Sequence, residues 1–174
     1  MLDRKVKGLG LPLLYLDFDG VLHPEYCYWH PRKGPYLKAP GHSLFEHRAL
    51  LEHLLEPHPE VRIVLSTTWV QTYQFSETAR KLGPNLRPRV IGSTFHTGMD
   101  KEGFRGIPRG LQVIGDVARR QPSAWIALDD DPTGWPDDAW GKLVLTHGLH
   151  GLGEERAQLE LKAKLQVLAS SKTA

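Results

Sequence analysis

Short, almost uninterrupted apolar runs are the feature that most restricts the fold of this chain. The strongest are Leu13 to Phe18, Val61 to Leu65 and Trp125 to Leu128, with weaker runs at Val90-Ile91 and Leu143 to Leu145. Strands with one face in solvent alternate apolar and polar residues, whereas strands covered on both faces, as in parallel sheets, are apolar throughout. The runs therefore predict a parallel sheet of about five strands.

Stretches with helical periodicity separate these runs. They fall at 44–55, 70–82 and 111–118, and a final amphipathic stretch predicts a C-terminal helix at about 153–170. Strands that alternate with helices predict an α/β fold, a doubly wound, Rossmann-like parallel sheet with helices on both faces. The chain length suits one domain, so we expect residues 1–174 to form a single unit.

Composition narrows the class of protein. The 22 basic residues exceed the 20 acidic ones by only two, far from the strong excess of a dedicated nucleic-acid binder. Cys27 is the only cysteine, so an intramolecular disulfide is impossible and a reducing cytoplasm fits best. The apolar run near the N-terminus is far shorter than the ~20 residues that span a bilayer, so we expect a cytoplasmic protein without membrane contacts.

Two carboxylates follow the first predicted strand. Asp17 and Asp19 flank Phe18, and alternation along an extended chain places both carboxylates on one side while Phe18 enters the core. One carboxylate can then attack a phosphorus atom while the other acts as general acid and base. The pattern predicts Asp17 and Asp19 as catalytic residues.

A second acidic pair, Asp129 and Asp130, follows the strand predicted at Trp125 to Leu128. Ligands of doubly wound sheets bind beyond the carboxyl ends of the strands, where these residues and Asp17 would meet. Carboxylates at such spacing repel one another unless a cation lies among them, and Mg²⁺ prefers oxygen ligands. A solvated acidic loop explains Asp129 and Asp130 equally well.

Hydroxyl groups end the strand predicted at Val61 to Leu65. The side chains and free backbone amides of Ser66 and Thr67 can bind a phosphate oxygen, so we interpret them as phosphate ligands. Thr68 precedes a predicted helix and is explained as well by helix capping.

A basic residue at the start of the next helix completes the predicted phosphate site. Arg109 follows Pro108 and precedes the apolar stripe that begins at Leu111, so its guanidinium is free to bind phosphate. Arg105 and Lys101 are alternatives for this role, and any of the three could instead be a solvated surface charge.

Together these segments resemble the haloacid dehalogenase (HAD) superfamily of aspartate-nucleophile phosphohydrolases, over roughly residues 12–147. Within it the chain is most similar to the small capless domains associated with bacterial and phage RNA-repair proteins. The chain has arginine where the wider family has lysine in its third motif, which leaves Arg109, Arg105 and Lys101 open. The resemblance to the superfamily lies in Leu14 to Leu22, Ile63 to Ser66, Arg109 and Ile126 to Asp130. The similarity to the RNA-repair-associated domains lies in Asp19 to Pro24, Ser66 to Trp69, Arg109-Gly110 and Gly148-Leu149.

The resemblance implies a mechanism. Asp17 would form an aspartyl-phosphate, and Asp19 would protonate the leaving oxygen and then activate water. Ser66 and Arg109 would bind the transferring phosphoryl group. Mg²⁺ would be held by Asp17, by the backbone carbonyl of Asp19 and by Asp129 or Asp130. An aspartate two residues after the nucleophile implies phosphate-ester chemistry and not halide displacement.

The segment after Gly20 is too short for a large cap domain. We predict a flap at 21–42, with His23 and Trp29 as candidate substrate contacts. Aromatic and basic residues alternate along it, a composition that can stack on nucleobases and neutralise phosphates. Packing of Trp29 onto the domain explains the pattern equally well, and a solvated loop position is an alternative for His23.

The sequence thus predicts a magnesium-dependent phosphohydrolase, with nucleotide or nucleic-acid terminal phosphates as candidate substrates. A phosphotransferase of the same superfamily and a non-catalytic phosphate-binding module are the alternatives. The oligomeric state stays open.

Overall fold

A computed structural model describes residues 6–170 and shows a central five-stranded parallel sheet. The strands are β1 (Pro12–Leu16), β2 (Cys27–His30), β3 (Gly34–Leu37), β4 (Arg62–Leu65), β5 (Val90–Ser93), β6 (Ala124–Asp129) and β7 (Leu143–Leu145). The helices are α1 (Arg48–Leu55), α2 (Trp69–Arg80), α3 (Gly83–Leu86), α4 (Lys101–Arg105), α5 (Arg109–Arg120) and α6 (Glu155–Ser170). Short 3₁₀ turns lie at Arg87–Arg89, Asp137–Lys142 and Gly151–Gly153.

The strand order in the main sheet is β5-β4-β1-β6-β7, and every neighbouring pair is parallel. The predicted five-stranded α/β fold is therefore confirmed. The chain leaves β1 at the middle of the sheet and returns on either side, as in other doubly wound sheets. This order brings the carboxyl ends of β1, β4 and β6 side by side.

The sheet has a hydrophobic core on each face. Leu14 and Leu16 of β1 belong to a large cluster that includes buried residues of α1, α2 and α6. Leu13 and Tyr15 face the other way and pack in a smaller cluster with Val113 of α5. Burial of both faces explains why the strands are apolar without alternation.

The segment between β1 and α1 differs in part from the predicted flap. Within it, β2 and β3 form an antiparallel hairpin, and there is no cap domain in the part of the chain that the structure describes. Residues 21–24 are buried and belong to the core, so the exposed part of the flap is shorter than 21–42. Helix α1 also starts later than predicted, at Arg48, because Phe45 adopts a left-handed conformation (φ 58°).

Two other helices differ slightly from the sequence pattern. Helix α2 contains a kink at Gln74, whose φ of 65° and ψ of 162° are not helical. Helix α6 begins at Glu155, after the 3₁₀ turn Gly151–Gly153, instead of at about 153. None of the helices described in residues 6–170 is long and apolar enough to cross a bilayer.

Close backbone packing fixes the start of α5. The Gly110 amide donates to the Thr133 carbonyl at 2.9 Å, and a Cβ atom at Gly110 would lie 2.5 Å from backbone atoms of Gly134 and Trp135. Only glycine allows the 133–135 loop this close to the helix. The contact sets the position of the neighbouring Arg109.

We expect Gly110→Ala to lower the free energy of unfolding by about 1–3 kcal/mol, because the methyl group forces backbone apart. Gly115→Ala is the matched control, since a Cβ there meets nothing within 4 Å in the same helix. It should raise the free energy of unfolding by about 0.5–1 kcal/mol, by reducing the entropy of the unfolded chain. Urea denaturation of both variants measures the difference, and equal effects would contradict this account.

Candidate active site

Asp17 lies at the carboxyl end of β1 and is almost fully buried. Its Oδ1 accepts a hydrogen bond from the Phe18 amide at 2.7 Å, and Phe18 itself is in the core, as predicted from the alternation. Burial raises the pKa of Asp17 to about 6, although Arg109 and hydrogen bonds from Phe18 and Thr67 oppose the shift. A buried carboxylate that depends on a nearby cation is suited to accept a phosphoryl group.

Arg109, the first residue of α5, supplies that cation. Its Nη2 lies 3.4 Å from Asp17 Oδ2, its Nε lies 3.4 Å from Asp129 Oδ2, and its Nη1 donates to the Ser66 carbonyl at 2.6 Å. Burial lowers the pKa of Arg109, but the nearby carboxylates of Asp17, Asp129, Asp131 and Asp130 together raise it by more. One guanidinium thus joins the ends of β1, β4 and β6.

The two alternatives for this basic residue lie elsewhere. Arg105 is exposed and donates to Gln71 Oε1 at 2.8 Å and to Glu102 Oε1 at 2.9 Å. Lys101 donates to the Gln71 carbonyl at 3.0 Å. Neither bonds to Asp17, so the geometry favours Arg109 as the phosphate-binding residue.

Asp17, Asp129 and Asp130 form a cluster that could hold a metal ion, with one oxygen of each within 4.8 Å of the others. Burial raises the pKa of Asp130 to about 7, with further contributions from Asp17 and Glu25, and burial and Asp17 also raise that of Asp129. Burial is the main cause of these shifts, and repulsion from the neighbouring carboxylates adds to it. A divalent cation with oxygen ligands fits this donor set.

Gly20 shapes the cluster by its lack of a side chain. Its φ is +70°, and a Cβ atom there would overlap the carboxylate of Asp130. The Gly20 carbonyl accepts a hydrogen bond from Thr146 Oγ1 at 2.7 Å, which ties the turn after β1 to the end of β7. The tight turn lets Asp130 reach the other two carboxylates.

Ser66 and Thr67 lie where predicted, buried at the carboxyl end of β4. Ser66 Oγ is 3.5 Å from Arg109 Nη1, and the Thr67 hydroxyl bonds to Asp17. Thr68 occupies the N-cap position of α2, but its side chain makes no capping hydrogen bond. The capping interpretation of Thr68 is therefore wrong, and Thr67 Oγ1 instead accepts from the Trp69 amide at 3.4 Å.

Asp19 is held apart from the acidic cluster. Trp69 Nε1 lies 3.1 Å from both of its carboxylate oxygens, and His23 Nε2 lies 3.0 Å from Oδ1. The carboxylate remains 28% exposed. Only its backbone carbonyl is left as the expected metal ligand, and this stays a prediction.

The alternative of a solvated loop position for His23 is wrong, and burial also leaves its side chain no surface for the predicted contact with substrate. Its side chain is completely buried because its ring packs edge-on against Phe45 and close to Trp69. The sequence reasoning also missed the role of Trp69. Its position directly after Ser66-Thr67-Thr68 was the available signal, since it makes Trp69 the first residue of the helix that follows β4.

A small cavity of about 120 Å³ opens beside Asp19, between α2 and the β2-β3 hairpin. Trp29 lies on the hairpin side, 53% exposed, as predicted for the flap. The hydroxyl group of Tyr73 is buried and has no hydrogen-bond partner among the described residues. We call this cavity the aromatic slot; it is lined by Asp19, Cys27, Tyr28, Trp29, Pro35, Thr68, Trp69, Thr72 and Tyr73.

Comparison with protein families identifies the class to which this fold and site belong. Residues 13–157 match the family described as the HAD domain in Swiss Army Knife RNA repair proteins. The match covers most of the chain, so the protein belongs to this family of the HAD superfamily, as its motifs predict. Searches of curated proteins and of solved structures found no match.

The raised carboxylate pKa values predict how stability depends on pH. Because Asp17 and Asp130 have a pKa near 6 and 7 when folded, against about 3.9 when unfolded, the metal-free folded state holds more protons at pH 4–7. Its free energy of unfolding should therefore fall as pH rises through this range. Asp130→Asn should make the fall shallower, as measured by urea denaturation in chelator from pH 5 to pH 8. The exposed Asp138→Asn is the control, and equal slopes for both variants would contradict the assignment.

Proposed function

We propose that this protein is a magnesium-dependent phosphohydrolase in which Asp17 is the nucleophile and Asp19 the general acid and base. The observation that carries the proposal is the arrangement around Asp17. The carboxylate is buried at the carboxyl end of the central strand β1, 3.4 Å from the Arg109 guanidinium and within a three-carboxylate cluster. Membership of the HAD superfamily supports the same chemistry.

The chemistry takes two steps. Asp17 attacks phosphorus and forms an aspartyl-phosphate, while the bond to the leaving oxygen breaks and Asp19 protonates that oxygen. Asp19 then takes a proton from a water molecule, whose oxygen attacks phosphorus and releases inorganic phosphate and free Asp17. Arg109 and Ser66 stabilise the charge on the phosphoryl oxygens. Bound magnesium, held by Asp17, Asp129 and Asp130, would neutralise substrate charge.

The aromatic slot supports nucleotide or nucleic-acid terminal phosphates as substrates. Because Asp19 protonates the leaving oxygen, the leaving group must lie beside Asp19, and the slot opens there. Trp29 is exposed and presents an aromatic surface that can stack on a base, and Trp69 and Tyr73 line the slot beside it. The association of the matched family with RNA repair supports the same substrate class.

A phosphotransferase is the second candidate function, because the hairpin leaves Asp19 partly exposed and an acceptor hydroxyl could replace water. Product analysis separates the two reactions: hydrolysis releases inorganic phosphate, whereas transfer yields a new phosphate ester. A non-catalytic module would do neither.

We expect the wild-type protein to release phosphate from an aryl phosphate only when magnesium is present. Asp17→Asn should lower this rate by at least about a thousandfold, since an amide is a poor nucleophile. The metal-free variant should melt at the same or a higher temperature, because one of several repelling carboxylates is gone. Phosphate release assays and thermal melts measure both effects. Retained activity in Asp17→Asn would remove this residue as nucleophile.

Trp29→Ala should lower activity on a phosphorylated oligonucleotide or nucleotide about ten- to a hundredfold, from a stacking energy of ~1–3 kcal/mol per base. Hydrolysis of a small aryl phosphate should change little, because the catalytic groups are untouched. Trp140→Ala is the control, since Trp140 is also exposed but lies outside the slot. Steady-state assays of both substrates measure the effect. Equal losses on both substrates, with a lower melting temperature, would mean that Trp29 packs the hairpin.

A further inference from the structure

Two ring nitrogens of buried side chains lie within hydrogen-bond distance of the Asp19 carboxylate. The indole Nε1 of Trp69 lies 3.1 Å from both oxygens, and Nε2 of His23 lies 3.0 Å from Oδ1 alone. The imidazole is completely buried and packs against Phe45, at 4.9 Å between ring centroids. Since His23 cannot reach solvent or substrate, its only polar partners lie within the fold.

The second nitrogen of His23 shows where its proton is. Nδ1 accepts a hydrogen bond from the backbone amide of Phe45 at 3.2 Å, so it carries no proton. A neutral imidazole has one N–H, which must then be on Nε2 and point at Asp19. The φ of Phe45 is 58°, a conformation that non-glycine residues rarely adopt and that concentrates at functional sites.

The position of this proton decides whether His23 binds a metal ion or donates a hydrogen bond to Asp19. Asp19, His23 and Cys27 have ligand atoms within 4.8 Å of one another, the arrangement of a small metal site. A metal bound there with Asp19 would need the lone pair of Nε2, because this is the ring nitrogen that faces the Asp19 carboxylate. The Phe45 amide places the proton on that nitrogen, which favours a hydrogen-bond donor over a metal ligand.

We propose that His23 is a positioning residue, which together with Trp69 holds Asp19 in the orientation needed for proton transfer. His23 bonds only Oδ1. We therefore assign the proton transfer to Oδ2, which is in contact with Trp69 but not with His23. This inference rests on the proposed function of Asp19 as general acid. It assigns His23 no contact with the substrate.

Leaving-group dependence is a consequence that a purely structural role would not produce. A leaving group that is a good anion needs little help from an acid, whereas an alkoxide needs a proton. Without His23 the carboxylate can rotate away, so poor leaving groups should suffer most. The ratio kcat/KM depends only on the steps up to and including departure of the leaving group. It therefore reports the proton transfer to the leaving group and not the later attack of water.

The test measures kcat/KM for a nitrophenyl phosphate and an alkyl phosphate. In His23→Leu, kcat/KM should fall about ten- to a hundredfold for the alkyl phosphate and less than about threefold for the nitrophenyl phosphate. The larger loss is part of the roughly 10²–10⁴-fold acceleration that a general acid contributes. His23→Gln should recover most of the loss, because its amide nitrogen can donate from nearly the same place as Nε2. His58→Leu is the control: this buried histidine lies before the amino end of β4, away from the site, and should leave the ratio of the two substrates unchanged.

A second measurement does not depend on activity. Nitrogen-15 NMR of the full chain at neutral pH should show the His23 proton on Nε2, and a proton on Nδ1 would overturn the assignment. Equal losses on both substrates in His23→Leu, in a protein whose wild type is active, would overturn the positioning role but leave the proposed function standing. A wild type without phosphatase or transferase activity would instead overturn the function, and with it the role of His23.

Discussion

The site depends on the guanidinium of Arg109, which is only 12% exposed and lies among carboxylates. Removing charges from water is costly unless they are paired, and a buried charge that loses its partner destabilises a fold strongly. Arg109 bonds to the carbonyl at the end of β4 and faces Asp17 and Asp129 at the ends of β1 and β6. Asp130 adds a third carboxylate, which has an oxygen within 4.8 Å of the other two. Burial, together with the excess negative charge, raises the pKa values of these carboxyl groups, and the excess charge explains why a divalent cation suits the site.

Asp19 has different hydrogen-bond partners from Asp17, although it is only two residues away in the chain. Its carboxylate is outside the three-carboxylate cluster and is bound by neutral N–H donors of Trp69 and His23. Neutral donors fix the position of a carboxylate without the strong field of a guanidinium. Two carboxylates only two residues apart thus lie in different environments, one suited to attack and the other to proton transfer.

The β2-β3 hairpin is small, and this has a consequence for substrates. A large cap would enclose the phosphate and exclude bulky esters, whereas a hairpin leaves the aromatic slot open at one side. Trp29 is held out on the hairpin, while Trp69 and Tyr73 come from α2. The slot therefore joins a strand from the insert to a helix of the main fold, directly beside Asp19.

The sequence by itself determined the sheet and the strand ends, because burial on both faces leaves a local apolar pattern that stops at polar residues such as Asp17, Ser66 and Asp129. Only the tertiary structure decided which distant groups meet. His23 falls in the segment predicted as a flap yet is buried, and Trp69 bonds to Asp19 from 50 residues away. Such contacts depend on the path of the chain after each strand, and neither periodicity nor composition encodes that path.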